Sequence, residues 1–305
     1  MHLKDKIHVS LQEKALDKAI YELIGPYGDY YIDDLNNNIY FNFKREKLKM
    51  LEKLEFNLPS CDDIKKLTRK KYRKFDDSWM NKIIYSFEIL NKSSMYNDGI
   101  NDAKDLVLTA EESDIVLSYS DFKKINIQSK GNVRIHDCSS NSDMNISAKN
   151  IKIENCTRFS TNYINLNAEY VEFNRTFMIN INDLNVNSQL ISFNNTEVMY
   201  SNNITLNSDM IDTKKTNLKA QNKIKINNTN CDDIEGVYAP KIIYNGKDVT
   251  YSDEILMPQL KKQLLEDLNK IKKKVVLISE AKLQEYIYGR KTELQKEPIT
   301  KILKR

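Results

Sequence analysis

Seven cations crowd the ten residues from Lys65 to Lys74: Lys65, Lys66, Arg69, Lys70, Lys71, Arg73 and Lys74, with Tyr72 among them. On a helix, Lys66, Lys70 and Arg73 share one face with Arg69 beside it, and such a face can bind phosphates. The flanks Asp62/Asp63 and Asp76/Asp77 neutralise part of this charge. A solvated helix face or a protein-docking surface is therefore expected ahead of a nucleic-acid site. Elsewhere the chemistry is thin. The three histidines, His2, His8 and His136, form no HxH or HExxH, and the four cysteines, Cys61, Cys138, Cys156 and Cys231, form no CxxC. No zinc site is expected from them. No GxSxG, Walker A or GxGxxG occurs, and there are only seven glycines, so neither a nucleophile elbow nor a phosphate loop is in view. The expectation is no catalytic residue, no metal and no cofactor.

What the chain does with its side chains is repeat them. Met144–Ala148, Ile164–Ala168, Leu184–Ser188, Ile204–Ser208 and Ile224–Asn228 follow one another at a constant step. A second short alternation follows each one: Ile151/Ile153, Val171/Phe173, Ile191/Phe193, then the degenerate Ile211/Thr213 and Cys231/Asp233. Looser copies precede them at Ile125 and Leu106, each at a slightly shorter step. Apolar–polar alternation is the strand signal, and its recurrence about every 20 residues predicts stacked coils. One coil cannot bury its own apolar side chains, so each depends on its neighbours. About seven coils at ~4.8 Å per rung make a column roughly 34 Å long.

Stacking turns sequence positions into columns. Ala148, Ala168, Ser188 and Ser208 form a small-residue column, and Cys138, Cys156, Thr176, Thr196 and Thr216 form another, both suited to tight corners. Cys138 and Cys156 fall on adjacent rungs and are expected as free buried thiols. Asn167, Asn187, Asn207 and Asn227 form an outward column with Ser147 at its head, and stacked amides hydrogen-bond from rung to rung. This ladder is expected to stabilise the stack; the sharper reading is a flat polar face for a repetitive ligand such as a glycan. The same logic sets Lys152 against Glu172, and Asp212 against Asp232 with Asp209 near. Two carboxylates a rung apart can share a proton or hold a calcium ion.

On these residues the stretch resembles the parallel β-helix, or β-solenoid, superfamily, right-handed and covering about half the chain. The resemblance implies polysaccharide cleavage by Asp, Glu, Lys or Arg from adjacent coils as one option. The uniform coil leaves little room for cleft-forming loops, so this is the minor reading. A pentapeptide repeat fails: its next corner would hold Thr161, Ile181, Ser201 and Gln221, and Lys149 and Glu154 stand where small residues are needed.

Before the repeat, Ser10-Leu-Gln-Glu13 reads as a capping box opening a helix over roughly Leu11–Leu23. Tyr30–Ile32 and Ile39–Phe43 flank Asn36–Asn38 as a β-hairpin. A short helix is expected through Leu48, Leu51 and Leu54, another over Asp62–Lys74, and a third through Trp79, Ile83, Ile84, Phe87 and Leu90. After the repeat, Leu260, Leu264, Leu268, Ile271 and Val275 run at near-heptad spacing, a seam for a cap or for self-association. The organisation expected is a small α+β docking unit at 1–95, a β-solenoid at 102–252, and a C-terminal helical cap or oligomerisation segment at 253–305.

No apolar run reaches the ~18 residues of a membrane span, and Met1-His-Leu-Lys-Asp-Lys lacks an apolar signal region. Cytoplasmic synthesis is the expectation, with the virion as a later location. Richness in Asn, Lys, Ile and Tyr suggests an AT-rich genome, as in low-GC bacteria or their phages. The leading expectation is a non-catalytic structural or interaction scaffold, a bacteriophage virion or tail-associated component. It would bind a protein partner or itself. The alternatives are a carbohydrate-binding or depolymerising spike and an intracellular protein-binding inhibitor or assembly factor. Nucleic acid is not an expected partner at a net charge of only +4.

Overall fold

In a computed structural model, the described residues are 3–88, 104–118, 122–138, 143–230 and 236–250. Helix α1 (Leu3–Ile24) leads into strand β1 (Gly28–Asp33), which pairs antiparallel with β2 (Asn38–Phe43) as the predicted hairpin. Then come α2 (Arg45–Lys49), β3 (Leu54–Leu58), α3 (Cys61–Lys71) and β4 (Lys82–Glu88). The coils proper start with β5 (Asp105–Ala110), β6 (Asp114–Ser118), β7 (Lys124–Ser129), β8 (Asn132–His136), β9 (Asp143–Ser147) and β10 (Asn150–Glu154). They continue with β11 (Thr157–Phe159), β12 (Tyr163–Asn174), β13 (Phe177–Ile179), β14 (Asp183–Asn194), β15 (Glu197–Lys214) and β16 (Asn217–Asn230). The short β17 (Val237–Tyr238), β18 (Lys241–Tyr244) and β19 (Lys247–Asp248) close the described chain.

These strands form three parallel ladders of a β-solenoid of about six turns. The first ladder runs β2, β4, β6, β8, β10 and then the second halves of β12, β14 and β15. The second runs β3, β5, β7, β9, the first halves of β12 and β14, then parts of β15 and β16, and ends at β18. A third joins β11, β13, β15, β16 and β17. Seven coils are expected from the strand starts between Leu106 and Ile224; the solenoid has about six turns.

The core is the apolar half of each alternation. Ile151, Val171, Phe173, Ile191, Phe193, Ile204 and Leu206 are all fully buried, and Phe173 stacks on Phe193 with centroids 4.9 Å apart and planes 5° off parallel. The corners explain the small columns. Asp137, Asn155, Arg175, Asn195 and Lys215 all have φ near +50°, turning the chain sharply one residue before Cys138, Cys156, Thr176, Thr196 and Thr216. Each threonine hydroxyl there shares its one hydrogen between two carbonyls, as Thr196 does between Phe173 O (3.2 Å) and Asn194 O (3.1 Å). Cys138 and Cys156 hold the same place with their thiols toward His136 O and Glu154 O at 3.3 and 3.2 Å. Both are buried, and neither forms a disulfide. The hydrogen bond with Cys138, and after it burial, push the Cys156 thiol far up. On the other corner Ser188 and Ser208 donate to Glu169 O and Gln189 O at 2.9 and 3.0 Å.

The N-terminal region departs from its sequence reading in several places. The segment through Ile83 and Phe87 is strand β4 and not a helix: Ile83, Tyr85 and Phe87 alternate inward, all fully buried, while the backbone bridges β2 and β6. Apolar residues at 83, 84 and 87 suit either period, and the open edges of two neighbouring strands decided the matter. Leu54 opens β3, so α2 stops at Lys49. Helix α1 starts before the Ser10 box and buries Ala15, Leu16, Ala19, Ile20 and Ile24. Because β2, β3 and β4 pair in register with solenoid strands, the boundary expected between 95 and 102 falls within one sheet, and Met1–Asp248 is one compact unit. The seam of Leu260, Leu264, Leu268, Ile271 and Val275 lies outside the described residues.

Candidate functional site

Three surface features gather polar side chains. The first is the outer face of the second ladder. Parallel pairing puts Asn167, Asn187, Asn207 and Asn227 in one column, as the repeat predicts. Asn227 Nδ2 donates to Asn207 Oδ1 at 2.6 Å, and Asn207 Nδ2 in turn to Asn187 Oδ1. A second column, Asn126, Asn145, Asn165, Asn185 and Thr205, runs beside it and went unread in the sequence. Its signal was present: Asn145, Asn165 and Asn185 stand two places before Ser147, Asn167 and Asn187. Asn185 Nδ2 donates to Asn165 Oδ1 at 2.8 Å. Together the columns line an open trough of about 810 Å³ whose side chains, from Val107 to Asn207, carry no charge. Each laddered amide uses one N–H on the preceding rung and keeps a second donor.

The second feature is an ion network on the first ladder. Register stacks Arg134, Lys152 and Glu172 as neighbours. Glu154, 6% exposed, accepts from Arg134 and from Lys152 Nζ at 3.1 Å, and Lys152 reaches Glu172 at 3.6 Å. The Lys152–Glu172 pair was legible in the sequence. The Arg134–Glu154 pair went unread although the two stand 20 residues apart, the coil period itself; the register sets Arg134 beside Lys152 and Glu154 beside His136, so the two meet on the diagonal. Burial raises the Glu154 carboxyl, but hydrogen bonds from Lys152 and Arg134 outweigh it and hold the group below the usual carboxylate range. Asp212 pairs with Lys214 at 3.4 Å; Asp232 lies outside the described residues. Among the described residues, no group of three or more His, Cys, Asp or Glu is placed to hold a metal ion.

Asp143 shares the behaviour of Glu154. Burial raises it, yet Thr161 Oγ1 at 2.6 Å and Asn162 N–H at 2.9 Å donate to it and the net shift is downward. A carboxyl depressed in the folded state stabilises the fold above its unfolded pKa, and that contribution is lost as pH falls through the folded value. The urea midpoint is therefore expected to be flat from neutral pH to about pH 5 and to fall below about pH 4. Glu154→Gln should lower the neutral midpoint and flatten that acid slope; an unchanged slope would count against the network.

The third feature is the basic stretch. Ser60 caps α3, accepting from Asp63 N–H at 3.1 Å while Asp63 accepts from Ser60 N–H at 3.0 Å. Helix α3 ends at Lys71, so Lys66, Arg69 and Lys70 lie on it, while Arg73 sits beyond its end and not on the helical face expected for it. All four still line one open groove of about 1020 Å³, with Lys65, Asp77, Ser78, Met80 and Asn81. Lys71 points elsewhere, to Glu22 of α1. Asp77, read in the sequence as an acidic flank that neutralises part of this charge, is buried and accepts from Arg69 Nη2 at 2.6 Å.

Compared with protein families, with curated proteins and with solved structures, the chain gives no match.

Proposed function

We propose that the chain is a non-catalytic structural or interaction scaffold, a component of a bacteriophage virion or its tail. The observation that carries this is how the exterior polar groups are used. Asparagine amides bond rung to rung, the Ser188 and Ser208 hydroxyls bond backbone carbonyls, and the most buried surface carboxylate is held between two cations. Such a surface is rigid and repetitive, which suits presenting contacts and not moving protons. Light scattering on the full chain and on a form ending at Ser252 tests the reading. A trimer or other closed oligomer that becomes monomeric on truncation supports it. A monomer in both forms overturns the virion role and leaves an intracellular protein-binding factor.

The uncharged asparagine trough favours glycan binding as the second reading. Its pre-aligned amide donors and acceptors match a hydroxyl-rich extended chain better than a charged one. Affinity electrophoresis in gels cast with neutral polysaccharides checks it, and unretarded migration in all of them would sink it.

A further inference from the structure

Helix α3 and its exit carry more positive charge than the local fold uses. Arg69, Lys70 and Lys71 sit in the last turn of the helix, where cations favour the helix dipole. Lys66 stands at the midpoint of the helix, outside either terminal turn, and Lys65 beside it is paired with Asp62 at 3.6 Å. Among the described residues Lys66, Lys70 and Arg73 make no ion pair or side-chain hydrogen bond, and all three are exposed to the groove. Asp77 lines the same groove, its side chain 10% exposed and its Oδ1 holding Arg69.

We infer that this groove docks an acidic peptide segment of a partner protein, its carboxylates on Lys66, Lys70 and Arg73. A peptide can set its carboxylates on these three cations and neutral residues beside Asp62 and Asp77. A phosphodiester backbone carries a charge at every step and would run against both in the same groove. The chain's own end is a poor occupant: residues 253–305 carry 13 Lys or Arg against 8 Asp or Glu. This proposal names a partner chemistry that the scaffold reading leaves open, and it holds or fails independently of oligomeric state.

The test is fluorescence anisotropy on the full chain with a labelled glutamate-rich peptide and, separately, an oligothymidylate of equal charge. The peptide is expected to bind more tightly than the oligonucleotide. The triple variant Lys66→Glu/Lys70→Glu/Arg73→Glu should weaken it by about tenfold or more while leaving the thermal unfolding curve in place. No peptide binding, tighter oligothymidylate binding, or equal affinity in the triple variant would each overturn the proposal.

Discussion

Phe193→Ala is expected to lower the unfolding free energy by about 3–5 kcal/mol, the range for deleting a buried aromatic ring. Phe193 is fully buried and stacked on Phe173, so the cavity opens between two rungs whose backbones are fixed by parallel pairing on both sides. The strands cannot close over it without breaking register, so relaxation is poor and the upper part of the range applies. Each coil is stabilised mainly through its neighbours, so the damage spreads. The urea transition should broaden or split as the coils on either side of the gap uncouple. Phe193→Leu, which keeps most of the volume, should cost about 1.5 kcal/mol or less and keep one transition. Urea unfolding followed by circular dichroism measures both. A loss under about 1 kcal/mol for the alanine variant would mean that the aromatic stack is not a structural centre.

The second large effect is at glycine, and three positions separate its causes. At Gly131 an added Cβ would meet Ser113 O at 2.2 Å, backbone against backbone. Neither strand can yield, because Gly131 O accepts from Lys149 N–H at 2.9 Å. Gly131→Ala is therefore expected to cost about 1–3 kcal/mol through overpacking. Gly246 has φ +80° and nothing within 4 Å of an added Cβ, so Gly246→Ala carries only left-handed strain, about 1–2 kcal/mol. Gly236 has both problems: φ +71° and an added Cβ 2.0 Å from Thr216 O. It also accepts Leu218 N–H at 2.7 Å, which holds the last rung of the third ladder. Gly236→Ala is expected to cost about 2–5 kcal/mol, the combination of the two terms. The order Gly236, Gly131, Gly246 in urea midpoints of the full chain is the check. If Gly246→Ala proved the most damaging, close backbone approach would not be what these glycines serve.

The asparagine column, the small corners and the Lys152–Glu172 pair were readable without coordinates because an alternating strand inside a coil of constant length maps sequence offset directly onto vertical contact. Where the offset drifts, that map blurs: β8 and β10 lie closer in sequence than the later rungs do, so Arg134 sits beside Lys152 and reaches Glu154, 20 residues on, only across the diagonal. The basic stretch shows the other limit. Composition located Lys66, Arg69, Lys70 and Arg73, but only the end of α3 at Lys71 and the return of the chain to β4 make a groove of them and bury Asp77 inside it.

The sequence by itself determined the solenoid, its coil length, the inward apolar residues and the asparagine ladder, since all of these follow from local alternation repeated at a near-constant interval. Tertiary structure alone decided that β2, β3 and β4 belong to the same sheet. Ile83, Tyr85 and Phe87 carry no repeat signal, and their strand conformation is chosen by the unpaired edges of β2 and β6 that they join. A backbone edge satisfied by a partner distant in sequence outweighs local helix preference, because each unpaired buried N–H or C=O costs more than the difference in propensity.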